Sequence, residues 1–119
     1  MVAGPDDAVK AFCLLPGEDP ATFKKEVVSW LGAIGDDPVL FMADLFGGTP
    51  SNVLASLLMR ENTEVVSGVN LPALIEVLAR KEGESLSSLR DIALDAVRSS
   101  AVDVREKLAE RLRQRKAGE

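Results

Sequence analysis

The residues best placed to do chemistry lie in one run, Asp44-Leu45-Phe46-Gly47-Gly48-Thr49-Pro50-Ser51-Asn52. A carboxylate is followed by two glycines that let the backbone approach a ligand. Two hydroxyls then follow, at the predicted start of a helix. Backbone N–H groups, Thr49, Ser51 and the positive end of a helix would suit an oxyanion or phosphate. The run matches neither the Gly-x4-Gly-Lys-Ser/Thr phosphate loop nor the Gly-x-Gly-x-x-Gly dinucleotide fingerprint, which disfavours a nucleotide. Gly47-Gly48-Thr49-Pro50 can equally be an ordinary turn and cap, with Asp44 a strand-end carboxylate. A second loop, Gly68-Val69-Asn70-Leu71-Pro72, reads either as the exit turn of a strand or, through Val69 and Asn70, as a support for the first.

The chain contains no histidine among its 119 residues. Alone it can form no catalytic triad, no His-ligated zinc and no phosphohistidine. Its single cysteine, Cys13, excludes an internal disulfide or a cysteine-based metal site, and its apolar neighbours make it a buried spectator. Asp6/Asp7 and Asp36/Asp37 lie in turn contexts with no third ligand at a telling spacing, so no metal and no cofactor is expected. A net charge of −5, four Phe and one Trp argue against a nucleic-acid binder. The basic cluster Arg105, Lys107, Arg111, Arg113, Arg115 and Lys116 reads as a solvated helix end opposing the dipole. No segment reads as a membrane span or a signal peptide, which makes the cytoplasm the default location.

The elements that must position these residues alternate as β-α-β-α-β-α-α in a length suited to one domain, 1–119. Ala8–Leu15 is apolar and β-rich, and Pro16–Pro20 stops it. Asp19 and Pro20 read as N-cap and first residue of a helix with Phe23, Val27, Trp30, Leu31 and Ile34 on one face, Phe23 and Trp30 being core. Val39–Ala43 is apolar without alternation, the pattern of a strand covered on both faces. Thr49 reads as the N-cap of a helix with Val53, Leu54, Leu57 and Leu58 as its buried stripe. Thr63–Val66 is a third strand, and Leu74, Ile75 and Leu78 face the core from the next helix. A C-terminal helical segment covers about 85–115, broken near Ser99-Ser100, although Val102-Asp103-Val104 also suits an edge strand. The fold class is α/β: a doubly wound, mostly parallel sheet with helices on both faces, and ligand-binding loops at the carboxyl ends of its strands. Three strands make a thin sheet, which points to a supporting strand from upstream residues or another chain, and its open edge predicts dimerisation.

Three blocks carry a family resemblance: Leu14-Leu15-Pro16-Gly17-Glu18-Asp19-Pro20, Phe41–Asn52, and Val65–Pro72. In order and spacing they resemble the EIIA component of the mannose family of the bacterial phosphoenolpyruvate-dependent sugar phosphotransferase system. The resemblance implies a usually dimeric domain that takes a phosphoryl group from HPr on a histidine and passes it to EIIB, with membrane EIIC and EIID further along. It implies that Asp44 orients that histidine and that the loop with Gly47, Gly48, Thr49 and Ser51 lies around the phosphate. The family's histidine ends an opening strand ahead of a helix whose tail resembles Met1-Val2-Ala3-Gly4, so strand, histidine and most of that helix are expected to be absent from this chain. Two other readings stand beside it. One is a histidine-free binding or regulatory module of the same fold; the other is the phosphodonor subunit of a dihydroxyacetone kinase.

Overall fold

The computed structural model describes residues 9–45 and 48–118, in two compact units, one ending at Gly68 and the other beginning at Val69. The expectations for Met1–Gly4, Asp6, Asp7, Ala8 and Gly47 lie outside the described residues. The elements run α1 (Pro20–Ile34), β1 (Val39–Met42), α2 (Thr49–Ala55), β2 (Thr63–Val66), α3 (Leu71–Arg80), α4 (Leu86–Ser100) and α5 (Val104–Ala117). Among the described residues the architecture is mixed α/β, with five helices and a small parallel sheet.

In the first unit, α1 begins as its sequence dictates. The Asp19 carboxylate accepts from the Ala21 N–H at 2.9 Å, and Pro20 stands where a helix needs no N–H donor. It ends at Gly35, whose φ of 67° is costly for any residue with a Cβ and whose N–H donates to the Leu31 carbonyl at 3.1 Å. Phe23, Val27 and Leu31 recur every four residues and are buried with Val39 and Phe41 of β1, Ala43 just after it and Leu54 of α2. Each such side chain contributes about 1.5–3 kcal/mol by leaving water. Trp30 is half-buried, meeting Phe41 and Phe12 edge-on at ring separations of 6.3 and 5.7 Å.

β1 and β2 pair in parallel, with Val39 opposite Thr63 and Met42 opposite Val66. The Ala43 N–H extends the ladder to the Val66 carbonyl at 2.8 Å. The start of the ladder is held by Arg60. Its Nη2 donates to the carbonyls of Gly35 at 2.6 Å and Asp37 at 2.8 Å, and its Nη1 donates to Thr63 Oγ1 at 3.0 Å. One guanidinium thus ties the turn after α1 to the first residue of β2.

Several expectations are corrected. Residues 9–15 form no strand: Phe12 and Leu14 pack on the core while their backbone joins no ladder, so the described sheet has two strands rather than three. The same alternation turns Cys13 outward, and it is exposed instead of buried. The cap of α2 is Gly48, with Thr49 already helical. That helix stops at Ala55, because the Ser56 hydroxyl bonds the Val53 carbonyl at 2.5 Å and the chain tightens into a turn, which leaves Leu58 exposed.

The second unit pairs α3 with α4. Ala73 and Val77 are the buried residues of α3, and Ile75, about half a turn round from them, is 56% exposed, against its expected place on the core face. In the C-terminal segment, residues 101–103 are neither helix nor strand. Ala101 leaves α4 in an extended conformation, and the Asp103 carboxylate caps α5 by accepting from Arg105 N–H at 3.0 Å and Glu106 N–H at 3.4 Å. No helix among the described residues is long and apolar enough to cross a membrane.

Candidate functional site

The carboxyl end of β1 sets the site. Ala43 is buried and makes the last ladder bond; Asp44 is the next residue and is exposed. The chain therefore delivers a carboxylate to solvent from a fixed strand end. Beyond it, Gly48 is extended at φ −73° and ψ 164°, and a Cβ there would come no closer than 3.6 Å to Leu45. Neither strain nor space requires glycine at that position.

The two hydroxyls expected at the loop differ in reach. Thr49 is exposed, so its hydroxyl can meet a ligand, whereas Ser51 is buried at 5% exposure in the first turn of α2. Ser51 and Leu54, three residues apart, seat the short helix, and Leu54 anchors it in the core. The arrangement can present a carboxylate, a hydroxyl and the first N–H groups of α2 to an anion held outside the sheet.

The second loop runs from the last residue of the first unit, Gly68, into the start of the second at Val69. Gly68 has φ 75°, the left-handed turn that glycine tolerates, and Asn70 caps α3 through its side-chain oxygen, which accepts from the Ala73 N–H at 3.2 Å. The Asn70 amide donates to Ser100 Oγ at 2.6 Å, and that hydroxyl donates to the Val97 carbonyl at 3.1 Å. Asn70 is thus fixed by the far end of α4. The sequence marks Ser100 only as part of a helix break, since nothing local signals a partner 30 residues away. Val69 is partly buried.

The larger open groove, about 720 Å³, lies elsewhere, between residues 10–13 and the exposed side of α1 at Lys25, Ser29 and Trp30. A second, of about 260 Å³, lies between α3 and α4 beside Glu76, Arg80 and Asp95. Among the described residues no three of His, Cys, Asp and Glu gather as metal ligands.

The family model for the fructose IIA component of the phosphotransferase system, the mannose-type EIIA family, matches residues 1–94. The chain belongs to that family. A fructose-specific EIIA component from Bacillus subtilis is 35% identical over 91 residues, 75% of this chain and 62% of that protein. The mannose-specific EIIAB component of Escherichia coli K12 is 30% identical over 114 residues, 93% of this chain and 35% of that protein. The chain thus spans about three fifths of the first relative and a third of the second. Among solved structures, the phosphotransferase system component EIIA from Streptococcus agalactiae superposes with a TM-score of 0.62 at 29% identity, covering 74% of this chain and 69% of that one. A Klebsiella pneumoniae structure at 22% identity, with a TM-score of 0.64 over 71% of this chain and 63% of that one, shares the fold.

Proposed function

We propose that this chain is the phosphate-handling part of a cytoplasmic EIIA domain, which relays a phosphoryl group from HPr to EIIB during sugar uptake. Family membership supports the reading, and the observation that carries it is Asp44, an exposed carboxylate one residue past the last ladder bond of β1. A carboxylate there accepts from one N–H of an imidazole, fixes its tautomer and stabilises the charged ring that forms as phosphorus is transferred. The bond from phosphorus to its donor breaks as the P–N bond to the imidazole forms, and the loop of Gly47, Gly48, Thr49 and Ser51 stabilises the oxygens in flight through the Thr49 hydroxyl and backbone N–H groups, the buried Ser51 hydroxyl holding the helix start instead. Val69 and Asn70 belong to the same reading as a supporting loop. So do a homodimer and an onward link through EIIB to EIIC and EIID.

The imidazole itself is supplied from outside these residues, since the sequence holds no histidine. The test is incubation with phosphorylated HPr, reading acid-labile phosphate. The 119-residue chain stays unlabelled. The chain extended upstream by a strand ending in Ser-His-Gly takes up phosphate, and Asp44→Asn in that longer protein slows uptake by about 10²-fold or more. Labelling of the 119-residue chain, or full-rate uptake by the Asp44→Asn variant, overturns the proposal.

The lack of histidine favours one other reading, a module that docks EIIB without chemistry. Retention of EIIB by the chain, with no phosphate transferred by either the short or the extended form, is its signature. The sugar-system names of the relatives support the phosphotransferase-system reading over a dihydroxyacetone kinase phosphodonor.

A further inference from the structure

α5 lies beyond the residues the family model matches and has no buried residue. Val104, Leu108 and Leu112 recur on it every four residues and are 75%, 57% and 52% exposed. Arg105, Arg111 and Arg115 each stand three and seven residues from two members of that stripe, and Lys116 stands four and eight, so all four flank it. The two acids of the helix, Glu106 and Glu110, are each two residues from their stripe neighbours, which at 100° per residue puts them on the opposite side. Glu110 pairs there with Lys107 at 3.9 Å and is half-buried, whereas the stripe and its flanking bases are all exposed. One side of α5 is thus apolar and basic, without an acid.

Charge is segregated along the chain as well as round the helix. α5 carries six bases against two acids, while the rest of the chain carries eight bases against seventeen acids. The helix dipole accounts for Arg115 and Lys116 in the last turn, but Arg105 stands in the first turn, where the dipole opposes a cation. What Arg105 shares with the other three is its place beside the stripe.

We propose that α5 docks on an anionic lipid surface, lying flat with Val104, Leu108 and Leu112 at the acyl boundary and the four flanking bases among the headgroup phosphates. The stripe spans about 12 Å of helix axis, and the stems of Arg and Lys reach from its edges to the headgroups. Three aliphatic side chains alone hold a helix only marginally at an interface. Attachment therefore depends on charge, each base near the surface contributing about fivefold in affinity. The acids in excess elsewhere are repelled by the same surface, which leaves α5 as the side that approaches it. A nucleic acid fits less well, because α5 has no aromatic side chain on which a base could stack and its apolar stripe would face phosphates. An acidic protein would need a shaped groove for three aliphatic side chains ringed by charge, whereas the centres of protein interfaces are depleted of charge. A fluid headgroup layer needs no matching shape. Lipid docking is independent of the phosphoryl relay, since no residue of α5 belongs to the loops assigned to it.

The test is co-sedimentation of the 119-residue chain with vesicles of phosphatidylglycerol in phosphatidylcholine, against phosphatidylcholine alone. The chain binds the anionic vesicles at least about tenfold more tightly, and releases them as salt rises from about 0.1 to about 1 M and the screening length falls from about 10 to about 3 Å. Arg115→Gln weakens binding about fivefold. Arg113→Gln, the same loss of charge two residues away on the far side of the helix, weakens it less than about twofold, because the helix diameter of about 10 Å sets that charge a screening length back. Leu108→Gln with Leu112→Gln weakens binding at least about tenfold, with the far-UV circular dichroism unchanged because both side chains are exposed. The arginine variants read the same face without touching its apolar stripe. No binding at low salt overturns the proposal, as does equal affinity for neutral vesicles, equal loss from Arg113→Gln and Arg115→Gln, or indifference to the leucine changes. Tighter binding to polyglutamate or to an RNA oligomer than to the anionic vesicles also overturns it, and makes the occupant an acidic protein or a nucleic acid.

Discussion

Replacing Arg60 with alanine removes three hydrogen bonds of 3.0 Å or less, to the Gly35 carbonyl, the Asp37 carbonyl and Thr63 Oγ1. Bonds from a charged donor contribute about 1.5–3 kcal/mol each when shielded. Water replaces much of that here, because the two carbonyl contacts are at exposed positions. The expected loss is about 2 kcal/mol in total, after that discount. It lowers the thermal midpoint by roughly 8–16 °C, at the 4–8 °C per kcal/mol typical of small domains. Arg60→Lys keeps the charge but has no fork to span two carbonyls, so it recovers about half of the loss. Hydrogen exchange locates the damage. The Val39 N–H, bonded to the Asn62 carbonyl at 2.9 Å beside the guanidinium, exchanges faster, while the Ala43 N–H at the far end of the ladder changes little. Stability of Arg60→Ala within about 0.5 kcal/mol of wild type, the range of an ordinary surface change, refutes the staple. Full recovery by lysine refutes the fork and leaves only charge.

Phe41→Ala empties the centre of the first unit and costs about 3–5 kcal/mol in chemical denaturation. Emission from Trp30 shifts to the red, because the indole loses its edge-on neighbour at 6.3 Å and gains water. An unchanged emission maximum would contradict the packing. Asp103→Ala removes the acceptor for two N–H groups at the head of α5 and weakens that helix by about 1 kcal/mol. Far-UV circular dichroism should lose helix, while the Trp30 signal of the first unit stays as it was.

What was legible in the sequence was what neighbouring residues settle among themselves. Asp19 and Pro20 contain their own capping chemistry, and Val39–Met42 is too apolar to lie anywhere but a covered strand. Residues 9–15 needed more than their own composition. A β-rich run becomes a strand only when a second backbone pairs with it, and β2 pairs with β1. Size misled at α3, where small Ala73 is fully buried and large Ile75 is not, because helix position outranks volume. At the site, Asp44 stood out because it ends the apolar strand. The burial of Ser51 did not, since it depends on how α2 seats Leu54 in the core. The bonds of Arg60 to Gly35 and Asp37 and of Ser100 to Asn70 were silent, as these partners lie 23 to 30 residues away and only the fold brings them near.

The outward turn of Cys13 gives the molecule a built-in optical pair. The only thiol in the chain adjoins Phe12, whose ring is 5.7 Å from the only indole, Trp30. A thiol-reactive dye at Cys13 lies on the rim of the groove that Trp30 helps to line. Energy transfer between the two reports any strand that pairs with residues 9–15, or any ligand that enters the groove, without a further substitution.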